Sequence, residues 1–304
     1  MPQTSAKLIP ELCLLIILSF LWGASFTLIE VANTTVPPAT IVLLRLLIGA
    51  VVLITLVMIS GTVFPNTAKR WGELLVQGIL QNALPFTLIS WGQLHTSSGL
   101  AGLLNTTPPL FVFLISYFVL QDKTADAKKL LGILIGFAGI GVIMGPAAFA
   151  GEQNSALGQL AITGASLCYA LAALNAKRFS DQPPLLTAAC SMTLAACLMA
   201  PIAFTLDHPL KLSPSPESLA SILALGVFST ALAMVLYFRL VRTLGPLGVT
   251  TGSYLRAGFS VVLGVLFLGE TLTANLLTGL LFIFTGVALA TGQIKLPRLT
   301  KKTT

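Results

Sequence analysis

Residues 105–122 read NTTPPLFVFLISYFVLQD, and residues 253–270 read SYLRAGFSVVLGVLFLGE. Both are apolar runs close to the roughly 20 residues a helix needs to cross a bilayer. Overlaid, they set Asn105 on Ser253, Pro108 on Arg256 and Val112 on Ser260. The overlay continues outward in both directions. LWGASF (21–26) lies over CYALAA (168–173), and the proline pair of VPPAT (36–40) over that of QPPLL (182–186). QNALPF (81–86) lies over STALAM (229–234). GILIGFAGIGV (132–142) lies over GLLFIFTGVAL (279–289), with two glycines in register. Five matches in one order make an internal repeat, with halves 1–150 and 151–304. Five spans per half is an odd number, so the second half must enter the membrane upside down relative to the first. Inverted repeats of this kind build secondary transporters, with the substrate near the midplane between the halves.

Composition supports a membrane chain. Charged residues are 9% of the 304, against about 25% in a soluble domain. Hydrophobic residues are 55%, and the mean hydropathy is +0.92. The spans fall at roughly 12–31, 38–60, 74–94, 99–120, 130–149, 157–176, 185–206, 218–238, 246–268 and 272–292. Short alternating segments of the transmembrane-strand type are absent, so the expected fold is an all-α membrane protein. It has ten transmembrane helices in two inverted five-helix repeats.

The cations orient it. With the N-terminus cytoplasmic, the inside segments carry Lys7, Lys69, Arg70, Lys123, Lys128, Lys129, Lys177, Arg178, Arg239, Arg242, Lys295, Arg298, Lys301 and Lys302. The outer loops carry Lys211 alone, and Arg45 and Arg256 lie within spans. Cations kept on the cytoplasmic side set orientation, so both termini are expected inside. The first apolar run, after Lys7, extends to about Val31 without a small-residue cleavage site and reads as an uncleaved first helix.

Several function classes lose support here. Cys13, Cys168, Cys190 and Cys197 form neither a CxxC nor a Cys/His pattern, so no metal or cofactor is expected. His95 and His208 fall in outer loops, and no nucleophile–base pair sits in a span, which argues against an enzyme. The basic balance follows from orientation, and no basic face interleaved with aromatics points to nucleic acid. A channel or other non-transporting membrane protein remains a rival reading.

Several stretches together resemble the EamA-type branch of the drug/metabolite transporter superfamily: WGASF (22–26), LLRLLIGAV (43–51), GLAGLLNTTPPLFVFLISYFVL (99–120) and YFRLVRTLG…FLGETLT (237–273). The resemblance implies ten helices in a bacterial inner membrane and export of small metabolites, amino acids first. Drugs or organic cations are the alternative. The chain departs from the family pattern at LQDKT, where a Gly-Glu pair like Gly269–Glu270 is usual. It departs again at Arg256, where proline is common.

Arg256 lies about ten residues, or 15 Å, from the nearer end of its span, too deep to snorkel to the headgroups. A lone charge there costs about 2.5–3.5 kcal/mol on insertion scales, so it should face protein or water. Ser253, Arg256 and Ser260 share one helical face. One reading is a guanidinium fork for a substrate carboxylate; the other is an arginine held by backbone carbonyls or a buried acid. Asn105, Tyr254, Trp22, Gln81, Asn82 and Tyr169 lie at similar depths and are candidate substrate contacts, with interhelical hydrogen bonding as the alternative. Arg45, nearer the outer end, can snorkel or pair with Glu30. Gly132 and Gly136 match GxxxG, which suits close helix packing within the chain or across a homodimer.

Overall fold

The computed structural model describes residues 5–119, 121, 127–149, 153–250 and 252–290. The boundary near residue 150 and the cations Lys123, Lys295, Arg298, Lys301 and Lys302 lie outside the described residues. Among these, all regular structure is helical.

The first half holds α1 (Ser5–Asn33) and α2 (Pro38–Ile59). In α3, Ala68–Gly78 passes through a π-helical turn, Ile79–Ala83, into Leu84–Gly92. In α4, Ser98–Leu104 is separated by a break from Pro108–Phe118, and α5 spans Ala127–Phe149. The second half repeats the series with α6 (Gln153–Asn175) and α7 (Pro184–Leu206). In α8, Pro216–Ala224 passes through a π-helical stretch, Leu225–Leu232, into Ala233–Thr250. It closes with α9 (Gly252–Leu268) and α10 (Ala274–Ala290). Among the described residues, seven helices are long and apolar enough to cross a membrane, and shorter apolar helices lie at Leu130–Val142, Leu255–Leu268 and Ala274–Leu289. Wide apolar surfaces face outward, as at Val51, Leu134, Leu266 and Leu281, which suits lipid.

The proline pairs do the same work in each half. Pro37 and Pro183 stand at the N-caps of α2 and α7, with Pro38 and Pro184 in the first turn, where a missing N–H costs nothing. These two helices pack on each other through Leu43, Leu46, Leu53 and Val57 against Leu186, Ala189, Met192 and Met199. Lipid is as apolar as leucine, so such contacts rest on close packing.

Close packing is tightest between α5 and α10. A Cβ at Gly139 would lie 2.8 Å from the Gly279 carbonyl oxygen, and one at Gly286 would overlap the backbone of Gly132 and Gly136. Gly132 and Gly139 are the repeat equivalents of Gly279 and Gly286. Each helix therefore offers its early glycine to the other's late one. That is antiparallel packing about a pseudo-twofold axis, and it engages the GxxxG face within the chain. The π-helical stretches of α3 and α8 are a second shared irregularity, falling on QNALPF and STALAM.

Ion pairs and caps tie the ends. At one end Arg239 pairs with Glu11 at 3.0 Å, and Arg70 pairs with Glu73 and Asp181. At the other, Asp207 accepts from the Thr40 N–H and hydroxyl at 2.7 and 3.0 Å. Glu270 accepts from the N–H groups of Ser98 and Gly99 at 2.6 and 2.9 Å.

Candidate functional site

The break in α4 is written in Pro108 and Pro109. Proline has no N–H to give the carbonyl four residues back, which frees the Leu104 and Asn105 oxygens. Side chains take their place. The Leu104 oxygen accepts from the Thr107 hydroxyl at 2.8 Å and from the Ser166 hydroxyl of α6 at 3.1 Å. The Asn105 oxygen accepts from Arg256 Nη2 at 2.7 Å. So Arg256 is held in part as the structural reading required, by a backbone carbonyl. Its Nε is buried without an acceptor, and so is Asn105 Nδ2. Two donors without acceptors meet at one helix break.

Gly23 of α1 lets α9 come close at this level. A Cβ there would lie 2.8 Å from the Arg256 carbonyl oxygen and 2.7 Å from Phe259 Cβ. Trp22, next to it, sets its ring 5.7 Å from that of Tyr237. On α6, Tyr169 stands one turn beyond Ser166 and packs against both main apolar clusters.

Arg45 is 6% exposed. Its Nε donates to the Thr230 hydroxyl at 2.7 Å, and its guanidinium lies 3.9 Å from the Phe86 ring centroid, a cation–π contact. The pairing with Glu30 considered from sequence is not made: Glu30 instead accepts from Gln93 Nε2 at 3.2 Å. Arg45 is two turns into α2, and Thr230 and Phe86 meet it at that depth, whereas Glu30 lies in the last turn of α1. Among the described residues neither Arg45 nor Arg256 has a carboxylate partner.

The other candidates are distributed unevenly. Gln81 and Asn82 sit in the π-helical turn of α3; Asn82 is buried, and its Oδ1 has no partner. Ser260 is fully buried, donates to the Ala257 carbonyl at 2.9 Å and packs against Gly102, so it is a packing residue of the α4–α9 contact. The side chains of Ser253 and Tyr254 lie outside the described residues. Sequence reasoning missed Ser166, Thr230 and Phe86. A signal existed for Thr230, since the repeat sets it on Asn82.

The chain has known relatives along nearly its whole length. The sequence pattern of the EamA-like transporter family matches residues 9–145 and again 156–292. An uncharacterized transporter of Bacillus subtilis, YvbV, is 26% identical over 97% of this chain and 94% of its own. An uncharacterized inner membrane transporter of Escherichia coli, YedA, is 24% identical over 88% and 86%. A solved crystal structure matches with a TM-score of 0.63 at 21% identity, covering 93% of this chain and 98% of that one. That last likeness is one of fold.

Proposed function

Because the chain belongs to the EamA-like transporter family, we propose that it exports small organic metabolites bearing an anionic group, amino acids first among them. The mechanism is alternating access about a midplane site between two inverted halves, 1–150 and 151–304, of five spans each. Both termini face the cytoplasm and the membrane is the bacterial inner one. The one-sided cations support the orientation, and the relative described as an inner membrane transporter supports the compartment.

The observation that carries the substrate class is the pair of unmatched donors, Arg256 Nε and Asn105 Nδ2. A buried donor without an acceptor costs about 1–3 kcal/mol, and a carboxylate between the two would satisfy both. Two guanidinium groups with no described acid disfavour an organic cation. The wider π-helical turns in α3 and α8 are places where helices bend, and they occupy equivalent positions, as a symmetric rocking motion needs.

The test is uptake by full-length protein in proteoliposomes, offered radiolabelled L-amino acids, other carboxylates and organic cations. Saturable uptake of at least one carboxylate, absent from protein-free vesicles, is expected. Uptake confined to organic cations refutes the anion site, and unsaturated ionic current would make the protein a channel.

A further inference from the structure

Most described acids are compensated. Glu11, Glu73 and Asp181 pair with arginines. Asp207 and Glu270 accept backbone N–H groups at the starts of α2 and α4. Glu217 lies exposed in the first turn of α8. Glu30 has neither a cation nor a helix start. It is partly buried near the end of α1, a place at which an ionisable group calls for a function.

Its surroundings show what it lacks. Gln93 is 2% exposed. Its Nε2 is anchored to the Phe26 carbonyl at 2.8 Å and also donates to Glu30 Oε2 at 3.2 Å. Its Oε1 is buried and has no donor. An ionised Glu30 has no proton to give that oxygen. A protonated one does: a carboxylic acid and a primary amide close a cyclic pair, N–H to one carboxyl oxygen and O–H back to the amide oxygen. The first of these two bonds is already present.

Among the described residues no cation pairs with Glu30. Glu270, from the α9–α10 connection, is held by the N–H groups of Ser98 and Gly99. Elsewhere, α8 brings Glu217, which faces solvent, and α2 brings Arg45, which is turned to Thr230 and Phe86. Beyond α3 lies His95, packed on Trp91. Ser98 of α4 is fully buried, and its Oγ is unpartnered.

We propose that Glu30 is a proton-binding site, with Gln93 as the partner of its acid form, and that its loading is coupled to transport. The coupling rests on the transporter reading above; the proton site itself does not. In the loading step a proton from hydronium adds to the unbonded Glu30 oxygen, and the carboxylate becomes a neutral acid. One O–H bond of hydronium breaks as the carboxyl O–H forms, water is left behind, and the new O–H donates to Gln93 Oε1; the proton returns to water when the site opens to the opposite side.

The test uses the full chain in detergent micelles and dicyclohexylcarbodiimide, which modifies protonated carboxyls in apolar surroundings. Adducts are located by peptide mass spectrometry across about pH 5 to pH 9. An exposed glutamate, with an ordinary value near 4.3, is about 98% ionised at pH 6. The expected result is a Glu30 adduct that persists at about pH 6 and falls roughly tenfold by about pH 8. It should be missing from Glu30→Gln. No adduct at Glu30, or one already lost at pH 6, overturns the proposal. So does protection by sodium chloride over potassium chloride without pH dependence, which would make the site a metal-ion site. No substrate enters the assay, so its failure leaves the anion-transport reading standing, and failure of uptake leaves the proton site standing.

Discussion

Replacing Arg256 separates holding the fold from holding a substrate. Arg256→Ala removes one charged hydrogen bond, the 2.7 Å contact to the Asn105 carbonyl. That carbonyl has no helical partner, because Pro109 stands where the N–H would be. Interhelical hydrogen bonds in membranes average about 0.6 kcal/mol and reach about 1.7, so the stability loss should fall in that range. A charge-assisted pair to a substrate carboxylate is worth roughly 1.5–3 kcal/mol. At 1.4 kcal/mol per decade this raises the half-saturating concentration about ten- to a hundredfold. Arg256→Lys keeps the charge but loses the fork and should fall between wild type and alanine. Arg256→Gln keeps a donor for Asn105 without the charge, so it should fold like wild type and transport like Arg256→Ala. The assay is concentration-dependent uptake of the transported carboxylate into proteoliposomes, normalised to folded protein from size exclusion. Unchanged half-saturation in Arg256→Ala and Arg256→Gln, with folded yield alone reduced, would refute the reasoning and leave Arg256 a brace for the α4 break.

Arg45→Ala should do the reverse, lowering the yield of folded protein while leaving half-saturation within about twofold, because its contacts are Thr230 and Phe86; thermal melting in detergent and uptake together check this. Gly286→Leu should abolish the α5–α10 contact and the monodisperse size-exclusion peak, since even a Cβ there overlaps backbone, whereas Gly141→Ala, which meets open space, should be neutral. Asp207→Ala frees the Thr40 N–H at the start of α2 and should lower stability by about 0.5–2 kcal/mol, as lost helix caps do, read as a reduced melting temperature with uptake retained.

Much of the architecture is legible in the residues because lipid leaves the backbone few choices. A chain this apolar must satisfy its N–H and C=O groups internally, so its spans are helices, and their positions follow from run length alone. The repeat was equally legible, since glycines at 132, 139, 279 and 286 and the proline pairs at 37–38 and 183–184 keep their spacing. The break in α4 could be expected from Pro108 and Pro109, which cannot donate.

Partners were a different matter, because hydropathy says how deep a residue lies and nothing about which way it faces. Depth alone made Arg45 and Glu30 neighbours. In the folded chain one turns to Thr230 and the other to Gln93, and the difference is set by how α2, α3 and α8 pack. Ser260 shares a helical face with Arg256, yet it is sealed against Gly102 because α4 and α9 approach there.

The sequence by itself determined a helical membrane protein of two similar halves and the depth of its charges, since both depend on composition and spacing along one chain. Tertiary structure decided that Arg256 meets the oxygen freed by Pro109, that Glu30 stands without a cation beside the Gln93 amide, and that the glycines close α5 on α10. Those are meetings of residues more than 60 positions apart. They depend on the rotation of each helix about its axis, which is fixed only when all the helices pack together.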